Sequence, residues 1–314
     1  MFDNKVVFLF PIDFSVFFLY NSREKTERNI FMAEKIKITA DSTCDLSEEL
    51  VKKYNIEIVP LGVYLGDELY SDGVNITPQQ IFDYVERTKV LPKTSAVTIY
   101  EYAEIFRKYV DEGYTVIHVN ISSTMSSSYS NAVSAAEEVG NVYVVDSANL
   151  STGSGHVVLE LADMIAAGKT AKEAVEEIKN IIPKVNASFI LGNLDYMKKG
   201  GRCSGVAVLG ANLLKLKISI EVKDGAMQPG KKYRGPLANV LKEYAEDRLS
   251  SVGMKIRKKR VFVTHTCMED TLPNMIKNLL LEKNYFDEVL ITSAGSTVLS
   301  HCGKDTLGVL FIEE

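Results

Sequence analysis

Residues 116–131 constrain the fold of this chain more than any other stretch. The first part, V-I-H-V-N-I, is apolar and β-branched, and the ten residues from Ser122 hold six Ser and one Thr. Apolar residues then recur at helical spacing as far as Val139. This order predicts a buried strand, a hydroxyl-rich turn and a helix. Because the first N–H groups of a helix have no intrahelical acceptor, we expect the turn to seat an anion, either phosphate or carboxylate.

Apolar runs of strand length alternate with amphipathic runs of helix length along the chain. We predict strands at Lys35–Ala40, Ile56–Leu65 and Asn141–Val145, and helices at Tyr100–Asp111 and His156–Ala167. This alternation is typical of an α/β fold with a mostly parallel sheet and helices on both of its faces. Ligands of such sheets lie at the carboxyl ends of the strands.

Four loops expected at that edge all carry hydroxyl groups, a bias that a random set of loops would not share. They are Asp41–Cys44, Lys93–Ser95, Ser122–Ser128 and Asp146–Gly155. We expect these loops to meet around the anion. The alternative, that their Ser and Thr residues only cap helices and turns, stays open.

The length of 314 residues favours two domains. A change in composition near residue 168 predicts a boundary there, so that residues 35–168 form a first domain with a mostly parallel sheet. Residues 169–314 are expected to form a second α/β domain with a mixed sheet. The elements predicted for the second domain include a strand at Ala187–Leu194, an apolar helix at Ser204–Leu214 and a hairpin turn at Asp224-Gly225.

The amino-terminal segment does not match this pattern. Val6–Tyr20 is a largely apolar run of 15 residues that Pro11 and Asp13 interrupt. It is shorter than the ~20 residues of a membrane span, and no small-residue cleavage site follows it. Met32 begins a sequence that looks like a second start. We therefore expect residues 1–34 to lie outside the fold.

Composition and short motifs exclude several classes of function. The net charge of -5 argues against non-specific nucleic-acid binding. The four Cys are far apart and form no C-x-x-C, which indicates reduced thiols and a cytoplasmic protein. Gly168-Lys169-Thr170 lacks the first glycine and the preceding strand of a P-loop, and no G-x-S-x-G is present. No His or Cys spacing matches a structural zinc site, so we expect no metal, no cofactor and no catalytic residue.

Six short motifs occur in order between residue 35 and the carboxyl terminus, and together they resemble the DegV family of bacterial fatty-acid-binding proteins. The motifs are Ala40-Asp41-Ser42-Thr43-Cys44-Asp45-Leu46, Tyr70-Ser71-Asp72-Gly73, Pro92-Lys93-Thr94-Ser95, Ile121-Ser122-Ser123-Thr124-Met125-Ser126, Lys199-Gly200-Gly201-Arg202 and His301-x-Gly303. The resemblance implies two α/β domains with a long-chain fatty acid buried between them. It also implies that Thr94 and Ser126 hold the carboxylate of the acid, with Ser95 beside them.

Some members of that family present the acid to an ATP-dependent fatty acid kinase, which forms an acyl phosphate. The resemblance assigns phosphate or kinase recognition to four residues, Asp72, Arg202, Arg234 and His301. A structural role stays open for these four residues and for the two hydroxyls. Thr94, Ser126, Asp72 and His301 would then only cap helices or turns, and Arg202 and Arg234 would be solvated surface charges. Three departures from the family pattern, at Ala96-Val97, Ser127-Ser128 and Lys304-Asp305, alter turns but leave the two carboxylate ligands in place.

The function expected from this resemblance is that of a carrier. An alkyl tail gains ~0.8 kcal/mol per buried methylene, whereas each hydrogen bond to the carboxylate adds about 1.5–3 kcal/mol, so the tail supplies most of the affinity. The expected partners are a long-chain fatty acid and a fatty acid kinase, with no nucleic acid and at most transient membrane contact. Two alternatives stay open: a lipid sensor or storage protein without a kinase, and a small-molecule transferase or phosphatase.

Overall fold

The computed structural model describes residues 34–203, 205, 216–252 and 255–314. Within it, residues 35–314 form one compact unit. Residues 1–33 of the expected amino-terminal extension lie outside the described residues, as does the predicted helix at Ser204–Leu214 apart from Gly205. The boundary near residue 168 therefore stays a prediction.

A four-stranded parallel sheet forms the first half of the unit, in the order β2-β1-β6-β7. Its strands are β1 (Ile36–Asp41), β2 (Glu57–Val59), β6 (Thr115–Asn120) and β7 (Val142–Asp146). Strand β6 is buried at every position because it lies in the middle of the sheet with helices on both faces. Asp41, Asn120 and Asp146, the last residues of three neighbouring strands, meet at one edge.

A three-stranded antiparallel sheet stands beside it, in the order β4-β3-β5. Its strands are β3 (Gly62–Leu65), β4 (Glu68–Ser71) and β5 (Lys93–Ser95). The single strand predicted at Ile56–Leu65 is therefore wrong: the chain breaks at Pro60, which has no N–H to donate, and continues in another sheet. The loop predicted at Lys93–Ser95 is instead an edge strand, in which Thr94 pairs with Val63.

A seven-stranded mixed sheet forms the second half, in the order β11-β10-β9-β14-β12-β13, with β8 paired to β14. Its strands are β8 (Val185–Asn186), β9 (Ser188–Ile190), β10 (Leu216–Lys223), β11 (Ala226–Arg234), β12 (Ile256–His265), β13 (Glu288–Ser293) and β14 (Leu307–Glu313). Only β12 and β13 are parallel among these pairs. The predicted hairpin is present, and its turn residues Asp224 and Gly225 both have positive φ, as a tight hairpin turn requires. The strand predicted at Ala187–Leu194 is shorter, because the chain leaves the sheet after Ile190.

Ten helices connect these strands within the described residues. They are α1 (Glu48–Lys53), α2 (Pro78–Thr88), α3 (Ile99–Val110), α4 (Ser128–Val139), α5 (Thr152–Ala166), α6 (Ala171–Ile178), α7 (Asp195–Gly200), α8 (Leu237–Val252), α9 (Thr271–Glu282) and α10 (Ser296–Cys302). Thr77, Thr98 and Thr170 each form a complete capping box, in which the hydroxyl and a Gln or Glu three residues later satisfy N–H groups of the first turn. The predicted α/β fold with a parallel and a mixed sheet is confirmed.

Helix α5 joins the two halves through the largest apolar core. It is buried along nearly its whole length, because one side packs on the parallel sheet and the other on the mixed sheet. His156 on this helix bonds the carbonyl oxygen of Leu310 in β14 through Nε2 (3.1 Å) and packs edge-on against the Phe262 ring. None of the helices in the described part of the chain is long and apolar enough to span a membrane.

Candidate functional site

A cavity of about 650 Å³, the outer cavity, lies where the four hydroxyl-bearing loops meet. Each loop contributes to its wall, through Thr43, Thr94, Ser126 and Leu150 among others. Helix α10 and the β10–β11 hairpin close the other side. The lining residues from the second half are Arg202, Met227, Thr297, Val298, His301 and Cys302. The volume is within the range of small-molecule sites, roughly 300–1,000 Å³.

Thr94 and His301 form a pair on one wall of the outer cavity. Thr94 Oγ1 and His301 Nε2 lie 2.9 Å apart. Burial, and secondarily the charge of Arg202, lowers the pKa of His301 to about 4, so its ring is neutral at physiological pH. His301 Nδ1 is buried and has no hydrogen-bond partner among the described residues. The tautomer with hydrogen on Nε2 avoids a buried donor without an acceptor, and it leaves the Thr94 hydroxyl free to donate into the cavity.

Ser126 lies on the same cavity, at the amino end of helix α4. Its Oγ accepts a hydrogen bond from the N–H of Ser128 (3.1 Å) and donates one to Ser128 Oγ (3.0 Å). Ser127, at the N-cap position, makes no side-chain cap bond, so Ser126 caps the helix instead. A hydroxyl in this place is polarised by the positive end of the helix and is suited to donate to an anion.

A buried polar network supports the Ser126 turn from below. The Tyr102 hydroxyl donates to Asp41 Oδ1 (2.6 Å) and also bonds Ser128. Asn120 Nδ2 donates both to that hydroxyl (2.9 Å) and to Asp41 Oδ2 (3.2 Å). Asp41 is 1% exposed. Asn120 Oδ1 has no partner among the described residues, but the four bonds that link Asp41, Tyr102, Asn120 and Ser128 favour a single arrangement of the turn above them. Tyr102 and Asn120 are not among the site residues predicted from the sequence. Asn120 could have been predicted, because it ends a parallel strand at the edge where ligands bind.

The tip of the β10–β11 hairpin holds the serine turn (Ser122–Ser128) from the other side. The hydroxyls of Ser122 (2.7 Å) and Thr124 (2.5 Å) both donate to the carbonyl oxygen of Gly225. A Cβ at Gly225 would lie 2.8 Å from Ser122 Oγ, and its φ is +78°, so glycine is required twice over. The contact also brings Met227 of β11 to the cavity wall.

Two carboxyl groups from the first half hold the amino end of helix α10, which carries His301. Asp72 accepts hydrogen bonds from Ser296 N–H (2.7 Å) and from the Ser42 hydroxyl (2.9 Å). Asp45 accepts from Gly295 N–H (2.8 Å) and from the Ser151 hydroxyl. Burial outweighs these bonds and raises the pKa of Asp45 to about 8. The pair thus fixes the helix from which His301 reaches Thr94.

The structure brings together five of the seven site residues named from the sequence. Thr94, Ser95, Ser126, Arg202 and His301 all line the outer cavity. Arg202 is exposed at the mouth, and its guanidinium bonds the carbonyl oxygen of Gly200 (2.7 Å).

The other two residues, Asp72 and Arg234, do not line this cavity. Asp72 is 2% exposed, so it reaches the site only through helix α10. Arg234 is an exposed residue at the end of β11. Within the described residues, no cluster of three or more His, Cys, Asp or Glu is arranged to hold a metal ion.

A smaller, inner cavity of about 30 Å³ adjoins the outer one and shares Leu150, Val298 and Cys302 with it. Burial raises the pKa of the Cys302 thiol to about 12, so this residue is neutral and apolar in character.

Four hydroxyl residues line the inner cavity, and protein groups bond each of their hydroxyls. Ser151 donates to Asp45, Thr264 pairs with Thr152 and Thr292, Thr266 donates to Gly303 O (2.6 Å) and Thr306 donates to Cys302 O (3.0 Å). The inner cavity is therefore chemically apolar despite these residue types, whereas the outer cavity offers hydroxyls as donors.

Comparison with known proteins shows that nearly the whole chain is similar to one family. The model of a family described as uncharacterised proteins of the DegV family matches residues 35–314. A DegV domain-containing protein of Clostridium acetobutylicum is 35% identical over 285 residues, which cover 90% of this chain and 99% of the relative.

Two solved structures resemble the fold closely. One is described as showing fatty acid binding of a DegV family protein from Thermus thermophilus; it has a TM-score of 0.83 and 26% identity, and the match covers 89% of this chain and 100% of that one. The other, a stearic acid-binding protein from Eubacterium ventriosum, has a TM-score of 0.77 and 27% identity, with 88% of this chain and 98% of that one covered.

Proposed function

The chain belongs to the DegV family, and we propose that it binds a long-chain fatty acid with its carboxylate on Thr94 and Ser126. The observation that carries this proposal is the polarity of the two joined cavities. The outer cavity has hydroxyl donors beside apolar side chains such as Leu61, Ile121 and Met125, which can hold most of a tail, and the apolar inner cavity shares a wall with it. An amphiphile with one anionic end and one alkyl end matches that order.

The hydroxyls of Thr94 and Ser126 suit the carboxylate because each can donate into the cavity. His301 donates to Thr94 Oγ1 and so leaves the Thr94 proton for the ligand. The Ser128 N–H donates to Ser126 Oγ, and the Ser126 proton, which Ser128 Oγ accepts in this structure (3.0 Å), would turn to the carboxylate when the ligand binds. Ser95 on the same wall and Arg202 at the mouth add a further donor and a positive charge. Each hydrogen bond to a charged oxygen contributes about 1.5–3 kcal/mol.

The tail contributes more than the head group. A dozen or more methylenes leaving water contribute roughly 10 kcal/mol gross, at ~0.8 kcal/mol each. The carboxylate bonds therefore set which end of the ligand faces the mouth, and the tail sets the affinity. We also propose that residues 35–168 and 169–314 are the two domains that hold the ligand between them. The outer cavity supports this division, because residues of both ranges line it.

Binding is tested first by extracting the purified protein with organic solvent and identifying the extract by mass spectrometry. We expect a long-chain fatty acid. Calorimetric titration of delipidated protein with that acid should then show a dissociation constant about 5–100-fold weaker for Thr94→Val and for Ser126→Ala. Ser134→Ala is the matched control, because it removes an exposed hydroxyl from the same helix α4 outside the cavity. Unchanged binding by both site variants contradicts the carboxylate assignment.

We propose further that the protein presents the acid to an ATP-dependent fatty acid kinase and is not itself a catalyst. Arg202 and His301 at the head-group end support this role, since a phosphate formed on the carboxylate would lie against them. Arg234 would contact the kinase, and Asp72 would act by holding helix α10. A cytoplasmic kinase supplied with ATP and the loaded protein should form acyl phosphate, and Arg234→Ala, outside the cavity, should lower that rate while leaving fatty acid affinity within about threefold. Binding without any turnover would favour a sensor or storage protein.

A further inference from the structure

Three cavities lie in series through the core. The outer and inner cavities share Leu150, Val298 and Cys302. A third, the rear cavity, has a volume of about 440 Å³ and opens on the opposite side of the same segment. The inner and rear cavities share one residue, Ala187, which is 2% exposed. Ala187 therefore lies at the boundary between the inner and rear cavities, where its Cβ faces Gly153 of helix α5.

The backbone beside Ala187 completes this wall. Consecutive residues face opposite sides: Ala148 and Asn149 line the rear cavity, whereas Leu150 lines the inner and outer ones. Ala148 and Ser151 both have positive φ, 46° and 53°, although neither is glycine. A conformation of that cost persists only where surrounding contacts hold it, and here the Ser151 hydroxyl is held by Asp45.

The rear cavity differs chemically from the other two. Its lining includes five charged residues, Glu221, Lys223, Asp224, Arg248 and Glu313. An alkyl chain gains nothing by entering a site of that kind, because burial of charged groups against it costs free energy. The apolar path therefore ends at Ala187, on the inner side of the wall.

Phe189 forms the other part of that end. It lies on β9 and lines the inner cavity beside Gly308, its partner across the β9–β14 pair. The inner cavity of about 30 Å³ has room for one or two methylene groups. Adding or removing a few carbon atoms at Ala187 or Phe189 would therefore shorten or lengthen the apolar path by about one or two methylene groups.

We propose that Ala187 and Phe189 determine specificity by setting the longest acyl chain that the protein accepts. This inference rests on the proposed fatty acid function and deepens it. The last carbons of the longest accepted chain pack between these side chains. Any further carbon has to displace the wall or bend back toward the mouth.

The test is a chain-length profile. Dissociation constants are measured by calorimetry for saturated fatty acids of increasing even length, from dodecanoic to docosanoic acid, with delipidated protein. In the wild type, each added carbon tightens binding about fourfold up to a limit. Ala187→Val adds two carbon atoms to the wall, so its limit falls by about two carbons. The acid at the wild-type limit then binds about tenfold more weakly, and dodecanoic acid changes less than about twofold.

Phe189→Leu should act in the opposite direction. It removes ring atoms from the end of the path, so the limit rises by about one or two carbons. Two matched controls alter the same apolar core without lining either cavity: Ala174→Val on helix α6 and Phe262→Leu on β12. Both should keep the wild-type profile, even where they lower thermal stability.

The outcomes separate this inference from the function beneath it. Wild-type protein that binds none of the acids overturns the proposed function. Wild-type protein that binds them, with Ala187→Val and Phe189→Leu keeping its limit, overturns the assignment of the end wall alone. A uniform loss at every chain length, equal to that in the controls, also overturns it, because loosened packing would then explain the effect.

Discussion

Asp45 is a carboxyl group for which burial and hydrogen bonding act in opposite directions. Bonds from Ser151 and Gly295 favour the charged form, but removal from water disfavours it more strongly and raises the pKa to about 8. The neighbouring Asp72 carboxylate adds to the rise. Since the unfolded chain ionises near 3.8, unfolding releases a proton at any pH between the two values. The stability that this group contributes is complete below about pH 4 and is lost as the pH rises to about 8.

Asp45→Asn should remove this pH dependence. An amide keeps an oxygen for the Gly295 N–H and can donate to Ser151, yet it cannot ionise. The free energy of unfolding relative to wild type should therefore increase from pH 5 to pH 8, by roughly 2–4 kcal/mol in total. Urea unfolding at both pH values checks it, with the exposed Asp67→Asn as the control. A constant difference between variant and wild type would show that Asp45 has an ordinary pKa.

Among the elements, helix α5 shows how packing can outweigh helix propensity. Gly155 lies in its first half, where alanine would normally favour the helix by about 1 kcal/mol. A Cβ there would lie 2.8 Å from the carbonyl oxygen of Cys44 and 2.9 Å from the Leu46 side chain. The helix can approach the turn after β1 this closely only without a side chain.

Gly155→Ala should therefore destabilise the protein, by about 1–3 kcal/mol, despite the gain in propensity. Ala166→Gly, the reverse exchange at an exposed position of the same helix, should also destabilise it, by about 1 kcal/mol. Denaturant unfolding of the two variants distinguishes the causes. Stabilisation by Gly155→Ala would mean that helix and turn are further apart than described.

Short sequence motifs predicted helix caps and turns correctly, because each of these features depends on a few residues next to one another in the chain. The Thr170 capping box and the Asp224-Gly225 turn are both confirmed, because caps and tight turns depend only on neighbouring residues. Strand β5 could not be foreseen, since three residues at the edge of a small sheet carry no periodicity. The network of Asp41 with Tyr102 joins residues 61 apart, and no pattern in the sequence connects them. The hydroxyl loops were foreseen as a group because parallel strands end at one edge.

At the scale of the whole molecule, histidines that folding removes from water contribute to the response to acid. Burial lowers the pKa of His156 to about 3, of His301 to about 4, and that of His265 as well. At pH 5–6 His156 and His301 are neutral when folded, and each takes up a proton on unfolding below pH ~6.5. The stability from these groups is complete above that pH and is lost as the pH falls toward the folded values.

Between about pH 5 and pH 6 this uptake should exceed the single proton that Asp45 releases. One net proton taken up on unfolding, two from His156 and His301 less the one from Asp45, corresponds to a loss of about 1.4 kcal/mol per pH unit. Urea midpoints across this interval should fall steeply with acid, and more steeply still in Asp45→Asn. Midpoints that do not change with pH would contradict the neutral, buried state of the histidines.

The acceptor that Ser122 and Thr124 share, the Gly225 carbonyl, lies 103 and 101 residues further along the chain. In a polypeptide that ends before the hairpin, the hydroxyls of Ser122 and Thr124 lack this acceptor. Ser126 belongs to the same turn, so its position also depends on the hairpin. Under the proposed function, the site for the head group would be complete only when the later strands have been synthesised and paired. During synthesis, a nascent chain would not retain its lipid until the hairpin has folded.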